Sequence, residues 1–224
     1  MRFDIITLFP EMFSAIKDEG VIARAIKKSI ISIKEWQLRD FSENKYKNVD
    51  DKAYGGGAGM VMQVKPIRDC IKKIKERQPK TKVIYLSPQG EPLNQNLVVK
   101  LSSFESLTLL CGRYEGVDER IIENDIDFEV SIGDYVISGG ELAAMVLIDS
   151  VSRRLPNVLG NKDSLNDSFA NNLLDYPQYT RPENIDGEMV PDVLLSGNQA
   201  KIDAWRIEQA TKKTKQKRPD LLSS

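Results

Sequence analysis

The 224-residue sequence contains no histidine. Without an imidazole, the chain can form neither a Ser-His-Asp triad nor a Cys-His pair, and it has no histidine to bind a metal. Proton transfer near pH 7 must therefore use a carboxylate, a lysine, a tyrosine, a cysteine or the substrate itself. A carboxylate acting as a base would need an environment that perturbs its pKa.

Cysteine is also scarce, since the chain carries only Cys70 and Cys111. Two cysteines form neither a disulfide framework nor a zinc site, so we expect the reducing environment of the cytoplasm. The sequence has no run of about 18 apolar residues that would predict a membrane span. Residues 1–6 are predicted to form a strand, and they lack the apolar core and cleavage site of a signal peptide.

Two common nucleotide-binding motifs are missing. The sequence has no G-x-x-x-x-G-K-[ST], and no G-x-G-x-x-G opens a helix, which excludes a P-loop and a dinucleotide fingerprint. The glycine run at residues 55–59 is too dense for either motif. It predicts a flexible or strained loop, and a plain surface linker is the alternative.

Charge is unevenly distributed along the chain. The net charge is −1. Residues 197–224 hold seven Lys or Arg against three Asp or Glu, a local charge of +4, which leaves about −5 for the remainder. This basic tail favours an anionic partner such as nucleic acid, and a solvated helix end is the alternative.

The order of elements predicts an α/β domain with a mainly parallel sheet. With 41% apolar and 29% charged residues, the composition is typical of a globular protein. Residues 40–60 are predicted to be a loop. Strands are predicted at residues 3–9, 30–38, 82–86, 106–111, 128–132 and 135–137. Helices are predicted at residues 11–17, 21–28, 65–77, 94–101, 117–124 and 141–153.

The composition changes after Arg154. Residues 156–168 are rich in Pro, Gly, Asn, Asp and Ser, which predicts a flexible linker between domains. Residues 169–224 are predicted to form a small, mainly helical domain with a helix over 199–213. The chain is thus divided into a domain at 1–155, the linker, and a domain at 169–224.

The stretch from Ser131 to Leu142 is the most informative part of the sequence. A predicted strand lies between Gly133 and the pair Gly139-Gly140, and glycines let a ligand approach the main chain closely. The turns at 87–90, 112–116 and 132–135 each follow a predicted strand. Because ligands bind beyond the carboxyl ends of parallel strands, we expect the three turns to form one cofactor pocket.

Several longer motifs stand in the order found in a known family. They are residues 5–13 (IITLFPEMF), 54–60 (YGGGAGM), 85–90 (YLSPQG), 111–120 (CGRYEGVDER), 131–141 (SIGDYVISGGE), 148–153 (IDSVSR), 167–169 (DSF), 174–182 (LDYPQYTRP) and 193–198 (VLLSGN). Together they closely resemble the bacterial tRNA (guanine-N1)-methyltransferases, from the first strand to about Leu222.

This resemblance implies a fold, a reaction and partners. The fold is a SPOUT-type parallel sheet with a C-terminal trefoil knot, followed by a small helical tRNA-binding domain. The reaction moves a methyl group from S-adenosyl-L-methionine to N1 of the guanine 3′ of the tRNA anticodon, at tRNA position 37. The partners are tRNA and a second copy of the chain, with active sites at the interface of the homodimer, and an assisting magnesium ion is compatible with the resemblance.

The resemblance also assigns catalytic roles. It implies that Asp167 takes the N1 proton of guanine and that Arg153 stabilises the charge that develops on O6. A base on a linker would close over the substrate when tRNA binds. Judged from the residues alone, Asp167 is a helix cap and Arg153 is a surface charge at a helix end.

Binding residues follow from the same motifs. Glu115 and Asp175 are implied to place the guanine, and a turn carboxylate and a helix-end charge are the respective alternatives. For Tyr135, packing in the core is the alternative to cofactor binding. The basic residues implied to contact phosphates are Lys212, Lys213, Lys215, Lys217 and Arg218. The implied cofactor-binding residues are Tyr85, Leu86, Ser87, Pro88, Gly112, Tyr114, Ile132, Gly133, Asp134, Tyr135, Val136, Ile137, Gly139 and Gly140.

The chain departs from the family pattern in two places. Ala143 stands where many members have proline, which would loosen the wall beside the methionine arm. Residues 160–167 are one residue shorter than in some relatives, which affects the reach of Asp167. Two alternative functions stay open at this point: a knotted methyltransferase acting on ribosomal RNA, and a non-catalytic RNA-binding regulator.

Overall fold

A computed structural model describes residues 1–160, 167–169 and 171–222. The chain divides into two compact units, Met1–Gly160 and Asn161–Ser224. The division falls inside the segment 156–168 that the sequence marks by its composition. Each unit is described by itself below.

The first unit contains a five-stranded sheet in which every pair of neighbouring strands is parallel. Seven strands occur in this unit: β1 (Arg2–Thr7), β2 (Ser32–Gln37), β3 (Asp50–Lys52), β4 (Met60–Met62), β5 (Lys82–Pro92), β6 (Ser106–Cys111) and β7 (Phe128–Ser131). The sheet has the order β2-β1-β6-β5-β7. The predicted α/β class with a parallel sheet is therefore confirmed.

Helices cover both faces of the sheet. They are α1 (Ser14–Lys17), α2 (Gly20–Lys27), α3 (Val64–Arg77), α4 (Gln95–Ser102), α5 (Glu119–Asp125) and α6 (Gly140–Ser152), with 3-10 turns at Pro10–Phe13 and Leu38–Phe41. One apolar core contains residues of α2, α4 and α6, and the other contains residues of α3 and α5. Alternate strand residues point to opposite faces, so Ile84 belongs to the first core and Val83 to the second.

Two predictions about the first unit are wrong. Residues 40–60 are not all loop, because β3 pairs with β4 as an antiparallel hairpin. Residues 135–137, all of them described, form an irregular loop instead of a strand. The backbone N–H of Tyr135 donates to the carbonyl oxygen of Gly133 at 2.9 Å, and this tight turn carries the chain away from the sheet after β7.

Strand β5 is longer than predicted, since it continues to Pro92. Leu86 and Glu91 both pair with Val130 on β7, so residues 87–90 bulge out of the sheet between these two pairings. A Cβ at Gly90 would contact the backbone of Glu129 and Val130, so only glycine fits where the bulge returns to β7. The bulge carries the predicted turn at 87–90 to the carboxyl edge of the sheet.

The second unit contains β8 (Asn184–Ile185), β9 (Glu188–Met189), α7 (Asp192–Leu195) and α8 (Gln199–Lys217), followed by a 3-10 turn at Pro219–Leu222. Helix α8 extends four residues past the predicted end at Lys213. Its buried Thr214 accepts the backbone N–H of Leu174 at 2.8 Å, which ties the end of the helix to the segment before it. Within the described part of the chain, no helix has the length and apolar character that a membrane crossing requires.

Candidate functional site

The bulge of β5 at residues 87–90 and the loops that follow β6 and β7 line one cleft at the carboxyl edge of the sheet. The structure thus brings together the three predicted turns. Of the predicted cofactor-binding residues, those lining the cleft are Tyr85, Leu86, Ser87, Pro88, Gly112, Tyr114, Ile132, Gly133, Tyr135, Val136, Ile137, Gly139 and Gly140. Asp134 differs, because it is exposed and is not part of the cleft lining.

Other lining residues were not named among the predicted cofactor-binding residues. They are Gln89, Arg113, Gly116, Val130, Ser131 and Ser138, and Ala143 from α6 lies with them. Gln89, Arg113 and Gly116 belong to turns that the sequence predicted to form the pocket. Ser131 and Ser138 lie in the predicted stretch 131–142, whereas Val130 lies inside β7 and had no such signal. Glu115, predicted to place the substrate, lines the same cleft.

The glycine pair at the start of α6 allows the helix to approach β6. A Cβ on Gly140 would lie 2.8 Å from the Cα of Cys111 and 2.9 Å from the backbone nitrogen of Gly112. These distances are too short for any side chain, since the neighbouring atoms belong to the backbone. The pair therefore brings the first turn of α6 to the floor of the cleft.

Aromatic side chains form two parts of the cleft. Tyr135 is 56% exposed, so its alternative role in core packing is wrong. Tyr85 is buried, and a Cβ on Gly112 would lie 2.9 Å from its ring. Burial raises the pKa of Tyr85, so its phenol is neutral near pH 7 and does not act as a base there.

The glycine-rich loop at residues 53–59 packs next to Glu115. All four of its glycines have positive φ, a backbone conformation that glycine adopts without strain. A Cβ on Gly59 would contact the carboxylate of Glu115, whose backbone N–H donates to the carbonyl oxygen of Met60 at 2.9 Å. The loop thus supports one acidic side chain of the cleft.

Neither cysteine is available for proton transfer or nucleophilic chemistry. Cys70 and Cys111 are both fully buried. Burial raises the pKa of each thiol, and the nearby carboxylate of Glu141 raises that of Cys111 further. Both thiols stay protonated at neutral pH, which leaves the carboxylates as the groups suited to accept a proton.

A second cleft lies wholly within the second unit and contains the carboxylates of Asp167, Asp175 and Asp203. Asp175 lies in a segment without helix, so its interpretation as a helix-end charge is wrong. Its carboxylate accepts the backbone N–H of Tyr176 at 2.9 Å and the side-chain amide of Gln178 at 3.1 Å. Arg206 brings a positive charge to this cleft, and its guanidinium lies 4.8 Å from the ring centre of Tyr176.

The two predicted catalytic residues belong to different units. Arg153 follows the last residue of α6 and caps that helix, with its backbone N–H donating to the carbonyl oxygen of Asp149 at 3.0 Å. Asp167 is exposed in the second unit, and residues 168 and 169 form a turn. The interpretation of Asp167 as a helix cap is therefore wrong.

Most of the predicted phosphate-binding residues lie on the last turns of α8. Lys212, Lys215 and Lys217 are exposed there. Lys213 instead donates to the backbone carbonyl of Asp175 at 3.0 Å, so it also supports the second cleft. Arg218 forms a salt bridge with Asp220, which raises the pKa of the guanidinium. Among the described residues, no group of three or more acidic or cysteine side chains is arranged to hold a metal ion.

Comparison with known proteins finds the same family along the whole chain. The family described as tRNA (Guanine-1)-methyltransferase TrmD matches residues 1–224. Proteins named tRNA (guanine-N(1)-)-methyltransferase from Nitrosospira multiformis and Vibrio vulnificus are each 56% identical to the chain. The alignments cover 99% of this chain and 89% of the first relative, and 100% of this chain and 91% of the second. A protein of the same name from Vibrio cholerae is also 56% identical, over 100% of this chain and 92% of its own length.

Proposed function

The chain belongs to the tRNA (guanine-N1)-methyltransferase family and is a tRNA guanine-N1 methyltransferase, and we propose that its target is the guanine 3′ of the anticodon, at tRNA position 37. The observation that carries this proposal is the cleft of the first unit. It unites the three loops that contain the strongest family motifs, although these loops are up to about fifty residues apart in the chain.

The lining of the cleft fits S-adenosyl-L-methionine as the methyl donor. Leu86, Ile132 and Ile137 offer apolar surface for an adenine ring, and the loops offer backbone donors and acceptors beside them. Glycine at positions 112, 139 and 140 keeps side chains away from the backbone in this region. When bound, the donor supplies a methyl group on a positively charged sulfur.

The proposed chemistry uses one carboxylate and one guanidinium. Guanine N1 carries a proton and becomes a good nucleophile only when that proton leaves. Asp167 accepts the proton, and Arg153 stabilises the negative charge that develops on O6. The absence of histidine and the burial of both thiols support a carboxylate as the base.

The second unit is proposed to bind the anticodon region of tRNA. Asp175 shares its cleft with Asp167, so a guanine bound there would meet two carboxylates suited to its N–H groups. Glu115 is proposed to assist from the first unit. The target base lies in a single-stranded loop, where turning it outward costs little. The exposed lysines of α8 are suited to contact the phosphates.

We also propose a homodimer with an active site at each subunit interface. Leu142 and Val146 lie one turn apart on α6, and each is 48% exposed. An exposed apolar stripe of this kind is suited to pack against a second copy. Sedimentation should show a monomer for Val146→Asp and an unchanged dimer for Val99→Asp, an equally drastic change at a valine of α4 that is 45% exposed.

The trefoil knot is part of the proposal. Helix α6 follows the edge strand β7, yet it packs against β1, β5 and β6. The chain must therefore turn back over the centre of the sheet after β7, as the segment that closes such a knot does. A cytoplasmic location is also proposed, because tRNA and the methyl donor are both found there.

Methyl transfer from labelled donor to matched RNA transcripts tests the function. The transcripts are tRNAs that differ only in carrying guanine or adenine 3′ of the anticodon, with ribosomal RNA as a third substrate. Transfer only to the guanine form supports the proposal. Transfer to ribosomal RNA would support the alternative substrate, and binding without transfer would support a regulator. Repeating the assay with EDTA tests whether magnesium assists.

A further inference from the structure

Glu141 is a fully buried carboxylate to which the chemistry above gives no role. It lies in the first turn of α6, directly after the glycine pair, and its exposed fraction is 0%. Carboxylates are almost never buried to this extent unless they are paired, because removing a charge from water costs a large free energy. The neighbours of Glu141 therefore indicate what it does.

Two side chains from other elements of the first unit pair with Glu141. Its Oε1 accepts a hydrogen bond from the hydroxyl of Thr7 at 2.8 Å, at the end of β1. Its Oε2 accepts one from Nε of Arg113 at 2.9 Å and lies 2.8 Å from Nη2 of the same guanidinium. Glu141 thus joins β1, the loop after β6 and the start of α6.

Arg113 links Glu141 to the wall of the cleft. Its Nη1 donates to the backbone carbonyl of Ser138 at 3.0 Å. The guanidinium also occupies the space where a side chain on Gly139 would lie. Ser138, Gly139 and Arg113 all line the cleft, whereas Glu141 itself does not.

We propose that Glu141 is a positioning residue for the donor site, because it fixes Arg113 and, through it, the loop 132–139. This inference rests on the proposed function, in which the cleft binds S-adenosyl-L-methionine. Arginine stays charged, so without the carboxylate its largely buried guanidinium would turn toward water. The carbonyl of Ser138 would then lose its donor, and the loop would lose the conformation that shapes the cleft.

Asp4 provides a matched control on β1, the strand that also carries Thr7. Asp4 is also a fully buried carboxylate, and it accepts hydrogen bonds from Arg2 at 2.6 Å and from the indole of Trp36 at 2.8 Å. It lies three residues before Thr7 on β1, so its side chain points to the opposite face of the sheet. Asp4→Asn and Glu141→Gln therefore remove the same charge from similar pairs, but only one pair reaches the cleft.

The test measures donor affinity by calorimetric titration with S-adenosyl-L-methionine, together with the melting temperature of the ligand-free protein. Glu141→Gln should weaken donor binding about tenfold or more, as the loss of one partner of a buried charge pair commonly does. At saturating donor, turnover should stay near the wild-type value. Asp4→Asn should lower the melting temperature but leave donor affinity unchanged.

Unchanged donor affinity in Glu141→Gln, or an equal loss in Asp4→Asn, would overturn the inference. Should Glu141→Gln fail to fold, Thr7→Val provides the second test. It removes the hydrogen bond to Glu141 and the one that the Thr7 hydroxyl accepts from the backbone N–H of Phe9 at 2.9 Å, but it leaves the pair of Glu141 with Arg113 in place. Thr7→Val should therefore weaken donor binding by a smaller factor than Glu141→Gln is expected to. Unchanged donor affinity in Thr7→Val would then overturn the inference. Wild-type protein that binds no donor would instead contradict the proposed function, so the two failures are distinguishable.

Discussion

The backbone N–H of Gly140 donates to the carbonyl oxygen of Gly112 at 2.9 Å, which joins the start of α6 to the end of β6. Both residues lie at the floor of the cleft. At this hydrogen bond the two backbones are so close that no residue larger than glycine would fit at position 140. The shape of the cleft therefore depends directly on this contact.

Gly140→Ala should destabilise the protein and weaken donor binding. The added Cβ would lie 2.8 Å from the Cα of Cys111, so the backbone must shift. Overpacking of this kind costs about 1–3 kcal/mol, and each kcal/mol lowers the melting temperature of a chain of this size by about 2–4 °C. Gly160→Ala is the control, because no atom lies within 4 Å of its added Cβ. Equal melting temperatures for the two variants would contradict the prediction.

Asp167→Asn should greatly slow methyl transfer while keeping donor affinity. The amide has nearly the same shape but cannot accept the N1 proton, so turnover should fall by a factor of about 10² or more. Single-turnover kinetics with labelled donor measures the chemical step, and calorimetry measures donor binding. Asp186→Asn, at an exposed turn of the same unit, should behave as wild type. Loss of donor binding in Asp167→Asn would show that its assigned role is wrong.

The exposed lysines of α8 should govern the salt dependence of tRNA binding. The double change Lys212→Ala and Lys215→Ala should weaken tRNA binding and reduce the slope of log affinity against log salt by about one per lost phosphate contact. Filter binding over a range of salt concentrations gives both quantities. The same charge is removed by Lys72→Ala with Lys80→Ala, at exposed positions of the first unit, and this pair should leave the slope unchanged. Equal reductions of the slope in the two double variants would contradict the prediction and indicate a general effect of net charge.

Asp118 should contribute stability that is lost in acid. Its carboxylate caps α5 and accepts hydrogen bonds from Nε and Nη2 of Arg120 at 2.8 and 2.7 Å. Arg120 lowers the pKa of Asp118, so the contribution is complete above the unfolded pKa of about 3.9 and declines as pH falls through the folded value. Asp118→Asn keeps a capping side chain without the charge.

Melting temperatures of wild type and Asp118→Asn should therefore differ at pH 5–7, and the difference should shrink as pH falls below about 4, until it is lost below the folded pKa of Asp118. Asp220→Asn offers a comparison, since Asp220 has a lowered pKa from Arg218 but lies on the exposed 3-10 turn at Pro219–Leu222. Its effect should be smaller, because exposed pairs contribute little. A difference for Asp118→Asn that is as large at pH 3 as at pH 6 would show that its charge is not responsible.

Much of the first unit was predictable because its signals are local. The buried run at 106–111 coincides with β6, and the spacing of apolar residues at 65–77 coincides with α3 to within one residue. The glycine turns after the strands also predicted where the cleft lies. Parallel strands place their carboxyl ends at one edge, so a turn that follows a strand is brought to that edge by the topology alone.

The errors have a common origin. Residues 135–137 have the composition of a strand, but a strand needs a partner, and the tight turn at Gly133–Tyr135 carries this segment away from β5. Conversely, β3 and β4 are short and polar or glycine-flanked, and they form a hairpin only because they pair with each other. Pairing between segments is a property of the folded chain and not of either segment.

By itself, the sequence determined the class of the fold, the order of its elements, the family, and the exclusion of histidine chemistry, because each depends on residue types and their spacing. Tertiary structure alone decided that Glu141 reaches Thr7, 134 residues away, and that Arg113 connects it to the cleft. A buried charge is stable only beside its partners, and those partners are brought together by packing, which no local pattern records.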